Sequence, residues 1–255
     1  MTSQDRFAGV AQDYAAYRPS YPQEMVEEIA AAAAGVAGAS LALDAGCGTG
    51  IFTRQLASAL PQHFKVVGVD PSDDMRSRAV AATGDRRISY VDGKETRLHG
   101  ESATAALVTA ASSAHWFDRE RFYREAARIL APGGVLAIID YIRDVAASPA
   151  ARAIEDFLRE HGGPKAYVRP DYLAEFRFLS AFQSPRAQSL SREYSLELHE
   201  AVGLGLSSSH ARPIVEALGH EGAAERLAAV LRPLADHAGL IPYRYEFRLA
   251  AARRI

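Results

Sequence analysis

The chain has 255 residues, a formal net charge of −2 at pH 7 and one cysteine, Cys47. This charge gives no general attraction to nucleic acid or to an anionic membrane, and a lone cysteine excludes an intramolecular disulfide and a cysteine-rich zinc site. The first ten residues include one acid, Asp5, and no apolar core, and no uncharged apolar run of about 18 residues follows. We therefore expect no signal peptide, no membrane span and no metal site, and a cytoplasmic protein.

The first informative element is an apolar strand that runs into Asp44 and then three glycines, Gly46, Gly48 and Gly50. Glycines at alternate positions let the backbone turn sharply and approach a ligand closely. A helical pattern follows at residues 51–60, so the turn lies where nucleotide-like ligands bind in open α/β sheets. The D-x-G-x-G-x-G spacing lacks the third glycine of a dinucleotide-binding turn. Asp44 would repel a phosphate, but it could attract a cation or help order the turn.

The second predicted strand, residues 66–69, ends on Asp70. An acid at this strand tip is placed to accept hydrogen bonds from both hydroxyls of a ribose. A helix capped by Asp118 is expected to stop at residues 131–134. Further strands are predicted at residues 88–91, 106–111 and 135–139. The alternation of strands and helices predicts βαβ units and a mainly parallel sheet.

The pattern changes after residue 140. Helices are predicted at residues 149–161, 169–182, 196–204 and 211–238, and strands at 186–194 and 243–249. We expect one domain over residues 1–255, with leader helices in 1–40. The segments 141–182 and 196–238 are expected to be helical insertions that cap the active site.

Four more motifs accompany the glycine turn and Asp70. They are Gly93-Lys94-Glu95, His115-Trp116-Phe117-Asp118, the R-x-L-x-P-G-G run from Arg128 to Gly134, and the Y-x-x-Y-R-P-x-Y-P leader from Tyr14 to Pro22. The set resembles the class I S-adenosylmethionine-dependent methyltransferases, in particular the small-molecule, trans-aconitate methyltransferase-like group. The resemblance implies an α/β, Rossmann-like fold. Its seven-stranded, mostly parallel sheet would have helices on both faces and a helical insertion over the active site. The resemblance is thin over residues 141–240, the part expected to choose the substrate.

S-adenosylmethionine is the cofactor that this resemblance implies. The glycines would lie against the methionine moiety and the ribose. Arg18 would pair with the carboxylate of the cofactor, and Met75 would lie on the adenine face. The turn at residues 93–95 would approach the exocyclic amine of the adenine. The full set of implied cofactor residues is Tyr14, Arg18, Asp44, Gly46, Cys47, Gly48, Gly50, Asp70, Pro71, Met75, Gly93, Lys94 and Glu95.

The acceptor site is expected at the loop after the fourth strand. His115 is a candidate general base there, or His115 and Trp116 only form the pocket wall. Arg169 could bind an acceptor carboxylate bidentately, or it could be a solvated surface arginine. The candidate substrate residues are Tyr17, His115, Trp116, Tyr167 and Arg169.

The expected function is methyl transfer from S-adenosylmethionine to a small-molecule acceptor, with O-methylation of a carboxylate or hydroxyl favoured. The alternatives are a C- or N-methyltransferase of a natural-product intermediate, or an S-adenosylmethionine-binding protein without transfer activity. Nucleic acid is not expected as a partner, since the charge is slightly acidic and the chain has no asparagine for an N-P-P-Y-type motif. The sequence leaves the oligomeric state open.

Overall fold

The computed structural model describes residues 17–163 and 169–255. Its sheet has seven strands: β1 (Leu41–Ala45), β2 (Lys65–Asp70), β3 (Ile88–Asp92), β4 (Ala105–Ala111), β5 (Leu130–Arg143), β6 (Phe182–Leu196) and β7 (Ile241–Arg254). The strand order is β3-β2-β1-β4-β5-β7-β6. All hydrogen-bonded neighbours among β1–β5 are parallel, as the sequence predicted.

The chain also forms helices. In the described part of the chain they are α1 (Gln23–Ala34), α2 (Ile51–Ala59), α3 (Asp73–Ala81), α4 (Arg119–Ile129), α5 (Pro149–Gly162), α6 (Tyr172–Phe176), α7 (Leu198–Leu206) and α8 (Arg212–Leu231). Helix α8 is broken at Gly219, which has a φ of +70°. Among the described residues, no helix is both long enough and apolar enough to span a bilayer.

One compact unit comprises residues 20–140, 169–189 and 248–255. Its core is formed by apolar side chains of the central strands, among them Leu43, Val67 and Val108, together with Phe122 and Ile129 of α4. Parallel strands are covered on both faces, which explains their nearly continuous apolar sequences. This unit contains the glycine turn.

The other compact unit comprises residues 1–19, 141–168 and 190–247, of which residues 1–16 and 164–168 are not described. Helices α5, α7 and α8 belong to it. A Cβ at Gly205 would lie 2.5 Å from the side chain of Leu227. Glycine at this position therefore allows α7 and α8 to pack closely.

Two predicted boundaries were wrong. The helix predicted at 169–182 is only the short α6, because Phe176 and Phe182 are both buried in the core. Residues six positions apart point about 120° away from each other around a helix, so one face of a continuous helix would not bury both rings. The strand predicted at 135–139 begins earlier, because β5 starts at Leu130, which already pairs with Ala105 of β4.

Candidate functional site

The three glycines of the turn all adopt left-handed backbone conformations. The φ angles are +67° at Gly46, +54° at Gly48 and +76° at Gly50. The N–H groups of Gly46 and Cys47 both donate to the carbonyl of Val69, at 2.7 and 3.1 Å. Glycine adopts such angles without strain, so the sequence permits this turn, and the hydrogen bonds to β2 hold it in place.

The space around each glycine differs. A Cβ at Gly46 would lie 2.6 Å from the Cβ of Ser113, and one at Gly50 would collide with the hydroxyl of Tyr90. A Cβ at Gly48 would meet no heavy atom within 4 Å. Packing inside the unit therefore demands glycine at two positions, whereas Gly48 presents bare backbone to open space.

Asp44 orders the turn from inside the unit. Its side chain is fully buried and accepts hydrogen bonds from the hydroxyls of Thr53, at 2.6 Å, and Thr109, at 3.1 Å. Burial raises the pKa of Asp44 to about 7, although the two hydroxyls act in the opposite direction. Asp44 therefore links α2 to β4, and its carboxylate is not presented to solvent.

Asp70 holds the turn from the tip of β2. Its Oδ2 accepts from the N–H of Gly48 at 2.9 Å, and its Oδ1 accepts from the N–H of Ser72 at 2.8 Å. Burial raises the pKa of Asp70, against the lowering effect of these two hydrogen bonds and of Arg76. Each carboxylate oxygen keeps further acceptor capacity, so Asp70 could still accept hydroxyl donors.

The remaining predicted cofactor residues of this unit lie at the ends of β1, β2 and β3. Met75 is buried at the start of α3, where Ser72 caps the helix. Glu95 accepts a hydrogen bond from the N–H of Asp118 at 3.3 Å. Cys47 is buried, and burial raises the pKa of its thiol well above the ordinary value. Pro71 and Gly93 are partly buried and Lys94 is exposed.

The loop that bears His115 is fixed to the glycine turn. The hydroxyl of Ser113 donates to the carbonyl of Ala45 at 2.8 Å, and a short 3-10 turn, Ala114–Trp116, follows. The side chain of His115 is only 3% exposed, and its ring lies 4.9 Å from that of Trp116. The structure thus places the predicted acceptor loop directly beside the predicted cofactor turn.

A buried carboxylate, that of Asp140, lies at the same edge of the sheet as His115. Asp140 lies 2.8 Å from a guanidinium nitrogen of Arg169 and 3.9 Å from Nδ1 of His115, and it accepts from the hydroxyl of Tyr172 at 3.2 Å. We call these four residues the Asp140 cluster. Burial raises the pKa of Asp140, while Arg169 and Tyr172 act to lower it.

The Asp140 cluster shows that one interpretation of Arg169 was wrong, and it adds Asp140 to the candidate site residues. Arg169 is paired with a buried carboxylate and is 23% exposed, so the interpretation as a solvated surface arginine was wrong. Sequence analysis missed Asp140. The signal was present, because Asp140 directly follows the apolar run of β5 just as Asp70 ends β2.

A second group in this unit has similar chemistry without a histidine. Glu175 accepts from Nε of Arg119 at 3.0 Å and from the hydroxyl of Tyr123. The side chains of Arg119 and Glu175 are 32% and 29% exposed. We call these three residues the Glu175 cluster.

Two predicted site residues lie in the other unit. Arg18 donates to the hydroxyl of Tyr141 at 2.9 Å and to the carbonyl of Ser207 at 3.0 Å. The ring of Tyr17 packs against Gly203, where a Cβ would collide with it. Tyr14 and Tyr167 lie outside the described residues.

Comparison with known proteins gives partial matches in sequence. Residues 43–138 match the family model described as "Methyltransferase domain". An uncharacterized methyltransferase of Mycobacterium tuberculosis (strain H37Rv) is 35% identical over 138 residues, which cover 54% of this chain and 53% of that protein. An uncharacterized methyltransferase of Schizosaccharomyces pombe is 27% identical over 214 residues, covering 80% and 79%. The chain spans about half the length of relatives such as the M. tuberculosis protein.

Solved structures match over most of the chain. A provisionally assigned type II methyltransferase from Anaeromyxobacter dehalogenans has a TM-score of 0.66 at 24% identity, covering 93% of this chain and 97% of that one. Phosphoethanolamine N-methyltransferase 2 of Haemonchus contortus, solved with S-adenosyl-L-methionine, has a TM-score of 0.59 at 16% identity, covering 100% and 60%. Such low identities show the fold alone. Residues 43–138 are therefore similar in sequence to a methyltransferase domain, and the chain has the Rossmann-like methyltransferase fold.

Proposed function

We propose that the protein transfers a methyl group from S-adenosylmethionine to a small-molecule acceptor, with O-methylation of a carboxylate or hydroxyl favoured. One observation carries the proposal. The bare backbone of Gly48 faces open space while Asp70, at the tip of the second strand, holds its N–H. This arrangement of bare backbone and a carboxylate is suited to a ligand that carries a ribose.

The residues at the turn fit the cofactor. Asp70 would accept the ribose hydroxyls, Gly46 and Gly48 would lie along the methionine moiety, and Met75 would contact the adenine. When bound, S-adenosylmethionine supplies a methyl group that its sulfonium has already activated. Tyr14 and Arg18 remain predicted cofactor residues, with Arg18 as the partner of the cofactor carboxylate.

The chain's own contribution would be binding, alignment and exclusion of water. His115 and Trp116 would border the acceptor, and His115 would take a proton where the acceptor is a hydroxyl. The helical segments in 141–182 and 196–238 would supply acceptor specificity. The leader and H-W-F-D motifs support the finer assignment to the trans-aconitate methyltransferase-like group. A cytoplasmic location stays a prediction from the sequence.

Calorimetry with S-adenosylhomocysteine, and separately with NAD as the control ligand, tests which cofactor the protein binds. We expect micromolar binding of the first and none of the second, whereas the reverse would refute the proposal. Transfer of labelled methyl from S-adenosylmethionine is then measured on panels of small carboxylic acids, phenols and amines, with tRNA and DNA as controls. Tight cofactor binding without transfer to any panel would favour the non-catalytic alternative.

A further inference from the structure

Asp140 and His115 come together because they follow neighbouring strands. Ala111 of β4 lies opposite Ile139 of β5, so the residues beyond both strands emerge at the same edge of the sheet. Ser112 bends the chain there with a φ of +49°, and its N–H donates to the carbonyl of Ile139 at 2.8 Å. Strained backbone of this kind persists only where surrounding contacts hold it, and it is concentrated at functional sites.

We propose that Asp140 is a positioning residue for His115. Its carboxylate accepts the N–H of Nδ1, which leaves Nε2 as the basic nitrogen of the neutral ring. This inference rests on the proposed function, in which Nε2 takes the proton that a hydroxyl acceptor loses. The acceptor oxygen would bond to the methyl carbon while the bond from that carbon to the sulfonium sulfur breaks, which leaves S-adenosylhomocysteine. The Nδ1-to-carboxylate distance of 3.9 Å is longer than a hydrogen bond. Such contacts are often long in ligand-free enzymes and shorten when ligands bind.

The burial of Asp140 supports a role beyond stability. Its side chain is 5% exposed, and a buried ion pair recovers little more than the cost of removing both charges from water. Arg169 supplies the compensating positive charge. The Glu175 cluster has the same carboxylate, arginine and tyrosine chemistry, but its charges remain partly solvated and no histidine is among its members. The structure thus offers a matched control.

The charged and polar groups near Asp140 come from three parts of the chain. Ser112 and His115 follow β4, Arg169 precedes α6, and Tyr172 lies in α6. A negative charge near an imidazole favours its protonated form, and Arg169 opposes this effect. Neutralising Asp140 should therefore lower the pKa of His115.

Nitrogen NMR of the imidazole rings, in protein with and without S-adenosylhomocysteine, tests the inference. The chain has eight histidines, so His115→Gln identifies the His115 resonances. We expect neutral His115 to carry its proton on Nδ1. Asp140→Asn should lower the pKa of His115 by ~0.5 unit or more and change the tautomer ratio. Glu175→Gln should change neither quantity.

A proton on Nε2 in the wild-type protein would overturn the inference. So would a pKa and tautomer of His115 that Asp140→Asn leaves unchanged. If Asp140→Asn does not fold, the wild-type tautomer decides alone. Failure of S-adenosylhomocysteine to bind would count against the proposed function instead, and the tautomer in the free protein would still test the role of Asp140.

Discussion

The glycine turn and the Asp140 cluster each contain a deeply buried carboxylate, but the partners of the two carboxylates differ. Asp44 is held by the neutral hydroxyls of Thr53 and Thr109, and burial raises its pKa to about 7. Asp140 lies beside the guanidinium of Arg169 and the imidazole of His115. The first carboxylate orders the backbone around it, and the second connects charged side chains at the edge of the sheet. Burial alone therefore does not reveal what a carboxylate does, whereas its partners do.

The two regions should also respond differently to substitution. The turn depends on the backbone angles of Gly46, Gly48 and Gly50, so substitutions there should destabilise it through steric collision and backbone strain. The Asp140 cluster depends on charges that come from distant parts of the chain, so substitutions there should destabilise it through the loss of charge pairing. The substitutions below test this contrast.

The largest effect is expected at Gly46. Gly46→Ala would place a Cβ 2.6 Å from that of Ser113 on backbone with a φ of +67°, so it should lower the free energy of unfolding by about 2–4 kcal/mol. Gly48→Ala is the matched control, because it introduces similar backbone strain at a position where the new Cβ would meet no heavy atom within 4 Å. It should cost about 1 kcal/mol in stability yet weaken S-adenosylhomocysteine binding. Urea unfolding and calorimetry measure both; equal stability losses would contradict the steric account.

Arg169→Ala should be the most damaging change in the Asp140 cluster. It would leave a buried carboxylate without its cation. Because Arg169 is itself 23% exposed, we expect less than the cost of breaking a fully buried pair, a loss of about 2 kcal/mol in the free energy of unfolding at pH 7. Arg119→Ala removes the partner of the more exposed Glu175 and should cost no more than about 1 kcal/mol. Thermal and urea unfolding compare the two variants. The distinction between the clusters fails if both lose the same amount.

Asp70→Ala should weaken binding of S-adenosylhomocysteine at least tenfold. Hydrogen bonds to a charged group contribute about 1.5–3 kcal/mol each, and tenfold corresponds to about 1.4 kcal/mol. Asp92→Ala is the control, because Asp92 ends β3 beside Asp70 and its side chain is 76% exposed. Calorimetry measures the binding of S-adenosylhomocysteine to both variants, and unfolding curves check that the turn stays folded. A larger loss of binding in Asp92→Ala than in Asp70→Ala would contradict the role given to Asp70.

Asp44 should make stability depend on pH. Its folded pKa, about 7, lies above the ordinary value of 3.8, so the folded state binds the proton more tightly. The stabilisation is complete below pH 4 and is lost as the pH rises to 7, by about 1 kcal/mol between pH 6 and 7. Asp44→Asn should remove this part of the slope in urea unfolding measured across that range. A slope identical to that of the wild type would contradict the assignment.

The smallest effect concerns Cys47. Burial raises the pKa of its thiol, so iodoacetamide should label the native protein far more slowly than the urea-unfolded chain. Bound S-adenosylhomocysteine should slow labelling further if the turn is the cofactor site. Because Cys47 is the only cysteine, mass spectrometry reports its labelling directly. Fast labelling of the native protein would show that the turn opens readily.

Local sequence was enough to predict the turn and most strands. Gly46, Gly48 and Gly50 allow left-handed backbone that other residues rarely adopt, and apolar runs such as the one before Asp70 are typical of buried strands. It was not enough to find the end of α6, because Phe176 and Phe182 reach the same core only if the helix stops between them. Long-range packing decided that boundary.

The sequence by itself determined the α/β order of elements, the sharp turn after β1 and the acid at the tip of β2. Each depends on residues close together in the chain, whose conformations are limited by sterics and hydrophobic periodicity. Only the tertiary structure decided that Arg169 pairs with Asp140 and that His115 lies beside them. Those contacts join residues 25 or more positions apart. The register of β4 and β5 brings His115 and Asp140 to one edge of the sheet, and the segment before α6 carries Arg169 to them. Parallel neighbours such as β4 and β5 are joined by a long crossover, so no short turn sets their register.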